Sequence, residues 1–457
     1  MNFIFYMKGF NHLFTAVAIS FLVSCSATRS VTPSKEEGLM EQPGLSNAHI
    51  GICIFEPATG KYLYNYQADK YFVPASNTKL FALYAGLKNL GDSLPAIRYT
   101  ENANGIYLQP TGDPSFLHPD FKKQPVVDFL QKTTKPIFID DQNWQDKALG
   151  YGWSWSDYNS YYSAERSALP VYGNVIKWTQ SFQPNAGSGK SENYVYSDPE
   201  INWKVRFSDK KSSAFSVERN KDENVFLVTE GKDSTQTDEV PFVTNGIASA
   251  LELLKDTIHH EIKLSNGTEP LLNAGNPALH ASLKTIYSQP VDSLYSLMMH
   301  RSDNFFADQV LLMVSNERLG IMDDSKIVDT LLKTDFKGLP QEPKWVDGSG
   351  LSRYNLFTPM DIVWLLNRIK TEIPWQRITN ILPTGGEGTL RNYYTSLKGN
   401  LYAKTGTLAS HVALSGYLTT AKGKQIIFSI LVNNHNTSST QVRRAVEKFL
   451  LDYSQKN

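Results

Sequence analysis

The feature that most constrains this chain is a change of period along its length. Helical spacing of apolar residues occupies both ends, and short alternating runs occupy the middle. Leu80, Leu83, Tyr84 and Leu87 fall at i, i+3, i+4 and i+7, which predicts a helix with one buried face. Helical spacing returns at Val291–Met299, breaks at His300 to Asn304, and resumes through Phe305–Leu319. Between these ends, Val175–Phe182, Tyr194–Tyr196, Ile201–Phe207 and Asn224–Thr229 read as strands, with a helix near Ile247–Ile258. The ends supply strands too. His49–Phe55 and Tyr62–Tyr66 form a hairpin around Pro57 to Gly60, and Leu401–Thr405, Val412–Thr419 and Gln425–Asn433 precede a helix over Val442–Tyr453. The pattern predicts an α/β (α+β) fold. One domain, residues 46–95 and 282–457, is interrupted by a β-rich insertion, residues 96–281.

Charge and cysteine content narrow the function classes. The 457 residues carry 45 basic and 45 acidic side chains, a net charge of zero. That excludes nucleic acid as the main partner, because phosphate binding needs a surplus of Lys and Arg. Two cysteines exclude a disulfide scaffold and a Cys-rich zinc module. His259-His260-Glu261 lacks HExxH spacing, so no metal and no other cofactor is expected. The aromatic cluster Trp153, Trp155, Tyr158, Tyr161 and Tyr162 reads as core more readily than as a glycan platform.

Residues 1–24 stand apart. Lys8 is the only charge before Arg29, and the mostly apolar stretch Leu13 to Ser24 is too short for a confident membrane span. This is the layout of a bacterial export signal peptide. Leu22-Val23-Ser24-Cys25 resembles a lipoprotein lipobox, in which cleavage precedes the cysteine and its thiol takes a diacylglyceryl group. An uncleaved anchor helix is the alternative. Residues 25–45, rich in Ser, Thr, Pro and Glu, read as a flexible tether. The expected location is outside the cytoplasm, on the periplasmic face, held to a membrane through Cys25. Cys53, in the apolar run Ile50 to Phe55, reads as core filler.

Three short motifs occur in order: Ser76-x-x-Lys79, Ser302-Asp303-Asn304 and Lys404-Thr405-Gly406. Each alone is weak, as Ser208-Asp-Lys-Lys211 and Ser191-Glu-Asn193 demonstrate in polar, turn-rich sequence. Context makes the set specific. The first motif opens a buried helix, the second sits between helices, and the third is expected to end a strand. A serine hydroxyl is a poor nucleophile without a base within hydrogen-bond reach. Spacing of i, i+3 on a helix places Lys79 beside Ser76, and burial lowers a lysine pKa enough to accept a proton. The Ser76 N–H, free at a helix N-terminus, can stabilise an oxyanion, with Thr407 N–H as second donor. Lys404 and Thr405 can bind a carboxylate, and Ser302 and Asn304 can relay a proton and hold an amide.

With these motifs the chain resembles the class C low-molecular-mass penicillin-binding proteins, the D-alanyl-D-alanine carboxypeptidase/endopeptidase family. Phe72 to Leu80, Ser302 to Phe306, Asp347-Gly-Ser-Gly-Leu-Ser-Arg353 with Thr358-Pro359, Gly388-Thr-Leu390 and Ala403 to Leu408 are all similar to family segments. In the insertion only Gly112-Asp113-Pro114 and Asp140-Asp141 resemble family signatures, and no pocket residue is assigned there. The resemblance implies a β-lactamase/transpeptidase-like fold and a serine peptidase acting on peptidoglycan stem peptides. It implies catalytic roles for Ser76, Lys79, Ser302, Asn304 and Lys404, and substrate contacts from Thr405, Gly406 and Thr407. β-Lactam antibiotics would trap Ser76 as a slow acyl-enzyme. Two alternatives remain open at this point. A β-lactamase-like hydrolase shares the motif types, but class A enzymes hold the first two much closer than the 226 residues seen here. A non-catalytic wall-binding lipoprotein would have no need of intact Ser76, Lys79 and Lys404.

Overall fold

The computed structural model describes residue 39 and residues 44–184, 187, 191–265 and 283–457. The signal segment, Cys25 and most of the tether lie outside the described residues. Among those described, no helix is long and apolar enough to cross a membrane.

Residues from the two ends of the chain build one antiparallel sheet. Its strands are β1 (His49–Glu56), β2 (Lys61–Tyr66), β14 (Leu401–Leu408), β15 (His411–Thr419) and β16 (Gln425–Asn433), in the order β14-β15-β16-β1-β2. Both faces are covered, so alternate residues enter different cores. Ile50, Ile52 and Ile54 of β1 and Phe428, Ile430 and Val432 of β16 pack on Val442, Val446 and Phe449 of helix α9 (Ser439–Lys456). Cys53, Ile427, Leu431 and Tyr417 enter the opposite core, formed with α1 (Lys79–Asn89), α5 (Asn304–Leu319) and α7 (Pro359–Glu372). Cys53 is buried, as its apolar neighbours predict.

Helix α1 departs from the one-face expectation. Every residue from Lys79 to Gly86 is buried, because α5 and α7 both pack against the helix. Truncating Leu83 there would cost about 2–5 kcal/mol. A lysine at the head of so apolar a helix is isolated from water.

The middle of the chain forms a second body. β3 (Ser93–Glu101), β4 (Ile106–Pro110), β5 (Ile137–Ile139), β12 (Ile262–Leu264) and β13 (Lys284–Pro290) make a mixed sheet in the order β12-β5-β4-β3-β13. Two three-stranded sheets accompany it. One is β11-β6-β7, from β6 (Val175–Pro184), β7 (Ser191–Asp198) and β11 (Gln236–Pro241). The other is β8-β10-β9, from β8 (Lys204–Phe207), β9 (Ser216–Arg219) and β10 (Val225–Thr229). Leu130 of α2 (Pro125–Lys132) and Leu254 of α3 (Ala248–Ile258) join Leu108, Phe226 and Phe242 in their core.

Two features lock this body to the first. β3 and β13 pair antiparallel, so the chain leaves and returns at neighbouring positions before entering α4 (Val291–Arg301). Gln309 of α5 donates through Nε2 to Gly112 O (2.7 Å) and Ser167 O (3.0 Å). The remaining helices, α6 (Asp324–Lys333) and α8 (Trp375–Ile381), add Ile327, Leu331, Ile378 and Ile381 to the core around α1.

Candidate active site

Ser76 lies in a single 3-10 turn, Ala75–Thr78, that runs directly into α1 at Lys79. Side chains at i and i+3 eclipse in such a turn, which is a tighter arrangement than the expected α-helical one. Lys79 Nζ accordingly donates to Ser76 Oγ at 3.0 Å. Its other two hydrogen bonds go to Asn304 Oδ1 (2.6 Å) and Ser349 O (2.7 Å). Burial pulls the Lys79 pKa down to about 8, although the carboxylates of Asp308, Asp347 and Asp303 oppose the shift. Ala75, next to the serine, has a positive φ of 49°. For a non-glycine residue this conformation is strained, and the surrounding packing has to enforce it. Gly350 does so by contact, since a Cβ there would stand 2.0 Å from Ala75 O.

The second motif occupies the break between α4 and α5. Ser302 ends α4 in the left-handed region, with φ 62°, and Asp303 caps α5 by accepting from Phe306 N at 2.9 Å. The abrupt turn sends Ser302 and Asn304 in different directions. Asn304 faces Lys79 and donates to Tyr162 O at 2.9 Å, whereas Ser302 Oγ accepts from Lys404 Nζ at 2.7 Å.

The third motif corrects an expectation. Lys404-Thr405-Gly406 does not end a strand. β14 continues through Thr407 to Leu408, paired with β15 throughout. Gly406 serves close packing in place of a turn, because a Cβ would lie 2.8 Å from Pro74 O, at the serine turn. β14 is an edge strand, which leaves one row of its backbone groups unpaired by the sheet. Ala403 N–H points out of the sheet, to Pro383 O. Backbone direction alternates along a strand, so Thr405 and Thr407 present their N–H and C=O groups at the same open edge. Asn77 Nδ2 donates to Lys404 O at 3.0 Å and ties this strand to the serine turn.

The three motifs therefore meet through their own side chains. Lys79 joins the first to the second, Lys404 the second to the third, and Asn77 the third to the first. Lys404 is fully buried, and burial followed by repulsion from Lys79 holds its pKa well below the ordinary lysine value.

Sequence reasoning missed the layer behind the lysines. Asp308 Oδ1 accepts from Gly348 N (2.8 Å) and Ser349 N (3.0 Å), which aims Ser349 O at Lys79. Burial and the neighbouring Asp347 push the Asp308 pKa up to about 7. Asp347 accepts from Gly350 N, Ser352 N, Asn355 Nδ2 and Trp153 Nε1, so the Asp347 to Gly350 turn supports the site. Arg166, also buried, donates to Asp324 (2.7 Å) and Asp146 (3.0 Å). Asp308 had one available signal: it stands four residues after Asn304, one turn along the same helix face.

The aromatic cluster is a second correction. Trp155 and Tyr161 are 73% and 63% exposed, and none of the five residues is buried. Trp155, Tyr161 and Tyr162 occupy short 3-10 turns, Trp155–Asp157 and Tyr161–Ser163, which offer no regular face to a core. Tyr162 O brings this aromatic surface to Asn304, at the rim of the site.

An SxxK turn at the head of a buried helix, an SDN break and a KTG edge strand together define a serine penicillin-interacting enzyme fold. Residues 35–453 match the D-Ala-D-Ala carboxypeptidase 3 (S13) family, and the chain belongs to that family. It is a serine-type D-alanyl-D-alanine carboxypeptidase by that membership. The D-alanyl-D-alanine carboxypeptidase of Actinomadura sp. (strain R39) is 27% identical, over 92% of this chain and 84% of that protein. DacB of Haemophilus influenzae is 23% identical over 95% of both chains. Among solved structures, penicillin binding protein 4 (dacB) from H. influenzae superposes with a TM-score of 0.69 at 19% identity, covering 90% of this chain and 98% of that one. The same protein complexed with a β-lactam superposes at 0.64.

Proposed function

We propose that Ser76 is the nucleophile and Lys79 the base that activates it. Neutral Lys79 takes the Ser76 proton as Oγ attacks the carbonyl between two D-alanines of a stem peptide. The oxyanion forms between Ser76 N–H, in the serine turn, and Thr407 N–H, on the open edge of β14. The proton taken by Lys79 passes through Ser302 to the departing D-Ala nitrogen, the C–N bond breaks to leave an ester on Ser76, and Lys79 is neutral again. Water, deprotonated by Lys79, cleaves that ester and restores the serine. Asn304 holds the peptide amide and fixes Lys79. Lys404, with Thr405 along the Gly406 backbone, binds the terminal carboxylate, whose charge favours the protonated lysine that burial disfavours. A penicillin would follow the same path and stall as the ester.

The observation that carries this reading is Lys79. It bonds both Ser76 and Asn304 in surroundings that bring its pKa to about 8. Digestion of purified muropeptides, followed by mass spectrometry, tests it. Loss of one terminal alanine is expected from carboxypeptidase action, and conversion of cross-linked dimers to monomers from added endopeptidase action. Intact muropeptides would reject the reading.

Anchoring rests on sequence alone. Cleavage before Cys25 and lipidation of its thiol would hold the enzyme at the periplasmic face of a membrane, on a tether reaching to about residue 45. Cys25→Ser should then move the protein from the membrane fraction to the soluble fraction. Unchanged partitioning would favour an uncleaved anchor helix.

A further inference from the structure

The carboxylate end of the cleft poses an electrostatic problem. Lys404 is assigned there, yet burial and then Lys79 both hold its pKa down before substrate arrives. A permanent positive charge stands close by on another element. The first turns of α9 bring Arg443 to the KTG strand, where Nη2 donates to Thr407 Oγ1 at 2.7 Å. Thr405 and Thr407 are two residues apart on β14 and so share a face, and Thr405 lines one small cavity with Arg443 and Tyr393. The guanidinium lies 5.9 Å from the Tyr393 ring.

Its neighbour shows what a purely structural arginine looks like here. Arg444 is spent on Glu447, Asn392 O and the Tyr393 ring at 4.4 Å. Arg443 has no carboxylate within ion-pair distance among the described residues, and it is only half-buried. A guanidinium in that position keeps donors for a ligand and stays charged whatever Lys404 does. We propose that Arg443 is a specificity-determining residue, recognising the terminal carboxylate of the substrate together with the Thr407 hydroxyl. This rests on the reading of Lys404 and Thr405 as the carboxylate's partners. Arg443 supplies a second positive charge, Thr407 orients it, and the docked carboxylate favours protonated Lys404.

The test uses a thioester substrate ending in a free carboxylate and its methyl ester, with the purified enzyme. In Arg443→Ala, kcat/KM for the carboxylate form should fall about ten- to a hundredfold relative to the methyl ester, mainly through KM. Arg443→Lys should recover part of that loss. Equal loss on both substrates, or no selective loss, would overturn the proposal and leave Arg443 as a strut between α9 and β14. Should Arg443→Ala fail to fold, Arg443→Gln keeps a donor for Thr407 without the charge and is read identically. Lys404→Ala separates the two levels of inference. If Lys404→Ala is carboxylate-selective and Arg443→Ala is not, only the arginine falls. If neither is selective, the carboxylate end itself has been misplaced, and the arginine falls with it.

Discussion

Ser76-x-x-Lys79 and Ser208-x-x-Lys211 share a spacing and differ in everything around it. Lys79 is fully buried at the head of α1, with three acceptors and a pKa lowered to about 8. Lys211 lies in a surface turn with 58% of its side chain exposed, and hydrogen bonds to Glu230 and Asp233 push its pKa up. Ser208 Oγ is spent locally on Lys210 O at 3.2 Å. The lesson is that four residues of sequence can place a lysine near a serine, but only burial lowers that lysine's pKa. The insertion pairs its lysine with acids in water, whereas the catalytic lobe surrounds its lysine with neutral acceptors and apolar walls.

The sharpest break of the comparison is at the serines. Ser76→Ala should abolish covalent labelling by a fluorescent penicillin, and Ser208→Ala should leave it unchanged. Labelling that persists without Ser76 would remove the distinction between the two turns.

The lysines give the next largest effect. Lys79→Arg retains the charge, but a guanidinium is effectively never deprotonated, so acylation should slow by about 10²–10⁴ for every substrate. Lys211→Arg should leave the acylation rate within about twofold, in line with surface substitutions generally. Single-turnover acylation rates measure both, and similar losses in the two variants would contradict the comparison.

The smallest effect sharpens the part played by burial. With Lys79 as the proposed base, acylation needs its neutral form, so the rate should fall about tenfold per pH unit below about pH 8. Asp308→Asn retains an oxygen for Gly348 N and Ser349 N while removing a negative charge that favours protonated Lys79. Asp308 is itself ionised only above about pH 7, so the lysine pKa drops there, and acylation should gain severalfold between about pH 7 and 8 and little near pH 6. The other charges facing the site, from Asp347, Asp303, Arg166 and Lys404, stay in place. An unchanged or lower rate between about pH 7 and 8 would show that Asp308 does not act on Lys79 through charge.

Much of the site was legible because its signals are local. The i, i+3 spacing of Ser76 and Lys79, the helix break at Ser302 and the two-faced apolar strands of the terminal regions all follow from short-range geometry. Strand His49–Glu56, helix Val291–Arg301 and strand Gln425–Asn433 fall within a residue or two of their expected bounds. β5 and β12, three residues each, were too short to show a period. The aromatic cluster misled because aromatic content is the same signal whether a residue is inward or outward. Its turns have no period to tell the two apart.

The sequence by itself determined the fold class, the serine with its lysine, and the order of the three motifs. Each of these is written in spacing and composition over a few turns or strands. Only the tertiary structure decided that KTG runs through an edge strand, that burial and then Lys79 hold the Lys404 pKa down, and that Asp308 stands behind Lys79. It alone brought Ser349 to Lys79 across 270 positions and Arg443 to Thr407 across 36. The physical reason is that a pKa or a hydrogen-bond partner is a property of neighbours in space. Folding chooses those neighbours from parts of the chain that no local pattern connects.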